Sequence, residues 1–272
     1  MTIEPGIYYD IPNEAYHASD GVSASQIKAA VKRSLLHMKM GKGHAMAQAT
    51  ADQGSAVHAG VLEPEKDLVD CIEVTARRGD AWKTPSEKSR AKGNIPLPVA
   101  DYERYQFSCK ALFDDEYIGP ILTDERRVTE ASIFAVHPRT GILLKARPDL
   151  FIQERSLLVD VKTTTNAKPK DWIKAFYDFQ YDLQAYYYQL VARLAGVNCN
   201  NFAFAVVEKD APYATHLFRV TPEVMGRAET IVERCLDEML ADWNNPKPST
   251  GWPAFTDIYL PNWLKSKNIG ET

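Results

Sequence analysis

Residues 157 to 162, Leu-Leu-Val-Asp-Val-Lys, place an acid and a base inside a run that is otherwise apolar and partly β-branched. Such a run reads as a buried strand. Side chains alternate along a strand, so Asp160 and Lys162, two apart, leave the same face. A chain that folds this way holds a carboxylate and an ammonium in one pocket, and buried charges need a partner or a task.

A second strand is expected just upstream, Gly141 to Arg147, with Glu154, Arg155 and Ser156 as the turn before the third. This hairpin can return Asp149, which follows Arg147-Pro148, to the side of Asp160. Two carboxylates and an ammonium suit phosphodiester hydrolysis. The phosphate is anionic, its transition state gathers further charge, and water is a weak nucleophile at neutral pH. A divalent cation held by carboxylates offsets the charge and acidifies the water, and Mg²⁺ takes hard oxygen ligands while keeping several waters. An Asp-x-Lys on a strand is common by itself, so the reading depends on residues elsewhere.

One of these is His58, in Gly54-Ser-Ala-Val-His58 within a helix expected from about Thr50 to Leu62. Glycine one turn before lets backbone or nucleic acid come close, and the imidazole can ligate metal. Taken alone, His58 reads equally as a partly buried helix residue. The other is Gln184-Ala-Tyr-Tyr-Tyr188, in a single long helix expected from about Pro169 to Leu194. Gln184 and Tyr188 lie one turn apart, so an amide and a phenol point the same way. Tyr187 belongs instead with Ile173, Phe176, Leu183, Leu190 and Leu194, a core stripe at helical spacing.

The ordered series Gly-x-x-x-His, Pro-Asp, Asp-x-Lys and Gln-x-x-x-Tyr resembles the RecB-like branch of the PD-(D/E)xK nuclease superfamily. Within that branch the chain is most similar to the phage and prophage RecE-type exonucleases (exonuclease VIII), with lambda exonuclease a more distant relative. Gly6-Ile-Tyr-Tyr, Ile11-Pro-Asn-Glu-Ala-Tyr-His17, Gly21-Val-Ser-Ala-Ser25, Leu62-Glu-Pro64, Ala146-Arg-Pro-Asp149 and Asp160-Val-Lys-Thr-Thr164 extend the likeness over roughly residues 6 to 220. Ala146 stands where the wider pattern often has Gly.

The resemblance implies that His58, Asp149, Asp160 and the Val161 carbonyl bind Mg²⁺ or Mn²⁺, with two ions per site. Lys162 would orient or deprotonate the attacking water. A lysine acting as base needs a pKa well below its usual ~10.4, so orientation or charge stabilisation is the alternative. Glu130, at the head of an expected strand Ala131 to Val136, matches an acidic position that supports the second ion; a solvated strand-end glutamate is the other reading. Ser23 and Ser25 open an amphipathic stretch carrying Ile27, Val31, Leu35 and Met38. Helix capping accounts for one serine, and the resemblance places this region at the DNA end.

Residues 76 to 98 mix charge, Gly and Pro and are expected to form a loop. Arg77 and Arg78 with Trp82, among Lys83, Lys88, Arg90 and Lys92, suit a DNA-contacting lid, because cations meet phosphates and an aromatic stacks on a base. A plain solvated loop is the alternative. The net charge of −4 argues against a broadly adhesive nucleic-acid binder. It leaves room for a local basic channel with Arg147, Lys168, Lys170 and Lys174, or for a ring-shaped homo-oligomer that encloses duplex DNA, as related exonucleases do.

Cys71, Cys109, Cys199 and Cys235 are too scattered for a zinc or redox site and lack the clustered spacing of Fe-S members, so no Fe-S cluster is expected. No apolar run approaches the ~18 residues of a membrane span and the N-terminus lacks a signal pattern, which implies a cytoplasmic protein.

With 272 residues, 45% hydrophobic, the chain can bury one large core. A single nuclease domain is expected: a helical part to about 125, a core from about 126 to 245 and a tail from 246 to 272. Further strands are read at Phe202 to Val207 and Ala214 to Val220, then a helix from about Pro222 to Trp243. The order predicts an α/β (α+β) fold, a central mixed β-sheet flanked by helices. Tail residues Trp252 to Leu264 pack on a neighbouring subunit or on their own domain.

The function implied is a Mg²⁺-dependent double-stranded DNA exonuclease that degrades the 5'-ended strand and hands a 3' single strand to a RecT-like annealing partner. A structure-specific or restriction-like endonuclease shares the same core, and a DNA-end-binding scaffold protein is the non-enzymatic alternative.

Overall fold

The computed structural model describes residues 3–41, 47–242, 245 and 250–260. The chain opens with strand β1 (Gly6–Tyr8), the short helix α1 (Asn13–Ala18), α2 (Ala24–Lys32) and α3 (Leu35–Lys39). Helix α4 (Gln48–Leu62) leads to β2 (Val69–Ile72), α5 (Asp80–Ala91), β3 (Ile95–Pro98), α6 (Val99–Asp114) and α7 (Gly119–Leu122). Five strands follow: β4 (Val128–Thr129), β5 (Ser132–Val136), β6 (Leu143–Ala146), β7 (Leu150–Ile152) and β8 (Leu157–Thr164). Helices α8 (Pro169–Asp178) and α9 (Tyr181–Leu194) precede β9 (Asn201–Glu208), β10 (Thr215–Arg219) and α10 (Pro222–Asp242).

The central sheet runs β10-β9-β8-β7-β4. Only β8 and β9 are parallel in it, and the helical crossover between them is the connection that parallel neighbours require. A second sheet, β1-β5-β6, adjoins it, and β2 and β3 form a separate parallel pair.

Alternation along β8 and β9 sorts the two faces. Leu158, Phe202, Phe204 and Val206 look toward α2, α8, α9 and α10, where Ile27, Trp172, Phe176, Leu183, Tyr187, Val232 and Leu236 complete one core. Val159, Val161, Ala203, Ala205 and Val207 look the other way, toward Val57, Val61 and Leu62 of α4 and Cys109 and Leu112 of α6. The even-numbered positions of β8 therefore carry Asp160 and Lys162 to the face covered by α9. This mixed sheet between helical layers is the architecture expected from the sequence, and the strands near 131–136, 141–147, 157–162, 202–207 and 214–220 all form.

Two expectations are corrected. The single helix from Pro169 to Leu194 is two helices, broken at Phe179 and at Gln180, whose φ of 54° is left-handed. A straight helix of that length would span about 39 Å, whereas β8, with 8 residues, spans about 27 Å. The break lets Trp172 and Phe176 pack on Phe204 while α9 turns its own apolar face to the sheet.

The loop expected over 76–98 is instead mostly α5 and β3. Two of its cations find carboxylates on neighbouring helices, while Arg78, Lys83, Lys88 and Lys92 stay exposed. Arg77 and Arg90 both ion-pair with the buried Asp52 of α4, and Arg77 also reaches Asp101 of α6. Ser86 and Ser89 face inward, and Asn94 donates to Asp70 at 3.0 Å. A charged segment that finds buried countercharge folds onto it.

The last helix ends at Asp242, and Trp243 lies outside the described residues. In the tail, Trp252 packs on its own chain: its indole donates to the Arg33 carbonyl at 3.3 Å and its ring lies beside His37. Residues 253–260 are exposed, and 261–264 lie outside the described residues. Among the described residues no helix is long and apolar enough to cross a membrane.

Candidate active site

Pro148 separates β6 from β7, and so separates the two sheets. Proline cannot donate to a ladder, and here the chain leaves one sheet and enters the other. Asp149 is the first residue beyond. Leu150 pairs with Val159 in the antiparallel β7–β8 ladder, so the next step along each strand sets Asp149 beside Asp160. The expected juxtaposition is present, made by a strand, β7, too short to be read from the sequence.

The two acids have different partners. Asp149 is buried; its Oδ2 accepts the Val161 N–H at 2.6 Å and lies 3.3 Å from His58 Nδ1. Glu130 joins from the turn between β4 and β5, where a φ of 51° puts a non-glycine residue in the left-handed region. Its N–H donates to the Asp149 carbonyl at 3.1 Å, tying the two sheets together. Such backbone strain costs of order 1–3 kcal/mol and is concentrated at functional sites. His58, Glu130 and Asp149 offer one ligand atom each, all within 4.8 Å of one another.

Burial raises the Glu130 carboxyl above its ordinary range, and the charge of Asp149 adds to the rise. Asp149 is raised likewise, first by burial and then by Asp160, against the opposing pull of His58 and Lys162. This cluster is short of positive charge. A nitrogen and carboxylate oxygens, with no sulfur, form a donor set suited to a divalent cation such as Mg²⁺ or Mn²⁺.

Asp160 stands outside that group of three. Its Oδ1 takes the Lys162 ammonium, and its Oδ2 accepts from Gln184 Nε2 at 2.5 Å. The charge of Asp160 pushes Lys162 above the ordinary lysine range against the effect of burial. Lys162 here is a cation rather than a free amine. Tyr188, one turn beyond Gln184, is half-buried; burial raises its phenol well above the usual range, and Asp160 and Asp149 add to the rise. Tyr187 lies in the core, its hydroxyl bonded to the Val22 carbonyl.

The other singled-out residues have structural partners. Ser23 is the N-cap of α2: its N–H donates to Gln26 Oε1 at 2.9 Å, and its hydroxyl lies 2.9 Å from that of the exposed Ser25. Arg147 donates to the Ile11 carbonyl at 2.6 Å and to Ser132, with its guanidinium 4.4 Å from the centre of the Tyr16 ring. Trp82 lies under Arg77, which is itself held by Asp52 and Asp101. Arg78, by contrast, is exposed two residues before α5. Gly54 faces Thr163 of β8: a methyl group there would meet Thr163 Oγ1 at an ordinary 3.6 Å.

Two residues escaped the sequence reading. Tyr181, the first residue of α9, lies under the Lys162 ammonium, 5.1 Å from its ring centre. Lys28 of α2 reaches the same ring from 5.2 Å. No motif flags either one; only the break before α9 and the packing of α2 on α9 bring them to the site.

The family model described as "PDDEXK-like domain of unknown function (DUF3799)" matches residues 23–250. No curated protein matches the chain. Among solved structures, a protein of Eubacterium rectale provisionally named an exonuclease is 14% identical and covers 96% of this chain and 99% of its own, with a TM-score of 0.58. An alkaline exonuclease of Laribacter hongkongensis is 16% identical over 69% of this chain and 87% of its own, with a TM-score of 0.33. A mixed sheet between helices, an acid pair across β7 and β8, a lysine two residues beyond and a match over most of the chain converge, and the chain belongs to the PDDEXK-like DUF3799 family, built as a nuclease of the PD-(D/E)xK class.

Proposed function

We propose that this nuclease is a Mg²⁺- or Mn²⁺-dependent exonuclease acting on the ends of double-stranded DNA. The observation that carries the reading is the pairing of Asp149 and Asp160 across adjacent strands, with His58 and Glu130 on one side and Lys162 on the other. His58, Asp149, Asp160 and the Val161 carbonyl would hold the metal, with Glu130 supporting a second ion. A divalent cation in this position neutralises charge at the phosphodiester and acidifies water.

The chain's own residues do the rest. Gln184 fixes one oxygen of Asp160, leaving the carboxylate one orientation. Lys162, held charged, faces the phosphate as an electrostatic stabiliser and an orienter of water, a role that fits its raised pKa better than proton abstraction does. Tyr188 supplies a neutral phenol. Ser25, exposed on the first turn of α2, and Arg147 are assigned to the DNA strand. Arg77 and Trp82 are weaker contacts, because Arg77 is already neutralised.

By resemblance the enzyme works 5'→3' in the cytoplasm of a bacterial host, leaves a 3' single strand for a RecT-like annealing partner, and acts as a ring-shaped homo-oligomer. Linear duplex labelled at the 5' or the 3' end, incubated with Mg²⁺ or EDTA, tests this directly. Metal-dependent release of 5' label as short products, with a covalently closed circle left intact, is expected. Cutting of the circle would replace the exonuclease by an endonuclease, and equal loss of label in EDTA would remove the metal.

A further inference from the structure

Lys28 is the unexplained charge of the site. It sits on the second turn of α2, half-buried, with its ammonium turned toward α9. Among the described residues it forms no ion pair. Its one hydrogen bond goes to Gln184 Oε1 at 3.4 Å, long for a charged donor, which normally closes to about 2.7–2.9 Å. Beyond that it has the Tyr181 ring, shared with Lys162: the two ammoniums stand 5.2 and 5.1 Å from one ring centre. Lys162 has Asp160, and Lys28 has no carboxylate of its own. Other cations near the site are answered. Lys145 donates to the carbonyls of Tyr16, His17 and Ser19, and Arg147 to Ile11 and Ser132.

A half-buried ammonium beside another ammonium is costly unless an anion arrives. Burial, with Lys162 next, pushes Lys28 down to about 8. The face of β8 that carries Asp160 and Lys162 is where the scissile phosphodiester lies under the nuclease reading, on which this inference rests. We infer that Lys28 is a phosphate contact of the bound DNA strand, holding the phosphate directly beside the scissile one while Lys162 serves the scissile phosphate itself.

The alternative role for Lys28 is to orient Gln184, and side-chain chemistry separates the two. Lys28→Gln keeps an N–H donor for Gln184 and removes the charge, Lys28→Met removes both, and Lys28→Arg keeps both. Affinity for a linear duplex is measured against KCl concentration in an Asp149→Asn background that does not cleave, and kcat and KM in the otherwise native enzyme with Mg²⁺. A lost phosphate contact lowers the slope of log K against log salt by about 0.7–0.9. Gln and Met are expected to share that drop and to raise KM about tenfold, with Arg restoring most of both. If Gln behaves as wild type while Met does not, or if the salt slope is unchanged in all three, the phosphate contact is overturned. Thermal melting of each variant separates a folding defect from either result. Failure of the nuclease reading shows differently: the native enzyme then leaves linear duplex intact in both Mg²⁺ and Mn²⁺.

Discussion

Asp149 and Asp160 are neighbours across one ladder, yet they occupy opposite electrostatic halves of the site. Asp160 is compensated: an ammonium and an amide take its two oxygens. Asp149 shares its side with Glu130; its carboxylate accepts a backbone N–H and faces His58, with the Lys162 charge acting without a hydrogen bond. The same residue type, one strand apart, is thus a structural countercharge in one case and an unneutralised acid in the other. An active site that must receive both a divalent cation and a phosphate needs such a division: a negative half for the one, a positive half for the other.

The comparison is broken most directly through activity. Asp160→Asn and Asp149→Asn are each expected to cut the rate on linear duplex in Mg²⁺ by roughly 10³-fold or more; residual activity within tenfold of wild type would remove either acid from the chemistry. Stability then tells the two apart. Asp160→Asn strands the Lys162 ammonium and should cost about 3–5 kcal/mol. Asp149→Asn relieves repulsion while keeping an oxygen for the Val161 N–H, so its Tm in EDTA should equal or exceed that of wild type. Equal destabilisation by both would erase the division.

The pH dependence sharpens it further. Asp149 and Glu130 have folded pKa values above their unfolded ones, so the folded state binds more protons and loses stability as pH rises from the ordinary carboxylate range through the raised values. In EDTA the wild-type Tm should fall between about pH 5 and pH 8 more steeply than that of Asp149→Asn. Added Mg²⁺ should recover the difference, because a ligand of the folded state stabilises it.

The smallest effect tests how α4 presents His58. Gly54→Ala, facing Thr163 at ordinary contact distance, should be neutral or stabilising by up to about 1 kcal/mol. Gly60→Ala would drive a methyl group to 2.5 Å from the Tyr105 ring and 2.8 Å from Cys109 Sγ. It should cost about 1–3 kcal/mol in a urea melt.

Those two glycines show what a sequence discloses. Gly54 stood out because it precedes His58 by one turn, but the close packing is at Gly60, against α6, which no local pattern names. Where chemistry is encoded in spacing along one strand, as for Asp160 and Lys162, the reading needed little beyond alternation. Where it depends on which elements meet, the signal was missing. Lys28 lies in an amphipathic stretch whose apolar positions, Ile27 and Val31, give no sign that its ammonium turns toward α9. The turn at Gln180 has neither glycine nor proline, and residues 76 to 98 read as a loop because Asp52 and Asp101, the countercharges of Arg77 and Arg90, lie on other helices. The hairpin expected between Gly141–Arg147 and β8 is made instead by β7, only three residues long, because β6 pairs with β5 in the other sheet.

Lys145 and Arg147 tie residues 11 to 19 to the edge of the site. Both sit on the strand segment that leads into Pro148 and Asp149, and both are satisfied by main-chain carbonyls from residues 11 to 19. That leading arm supplies no ligand and no proton, yet its main-chain oxygens hold two cations in place beside the acids. A shortened chain lacking the arm would keep every motif residue of the site. It would also leave Lys145 and Arg147 without those carbonyl partners, so the strand that leads into Asp149 would be destabilised even though no ligand had been touched.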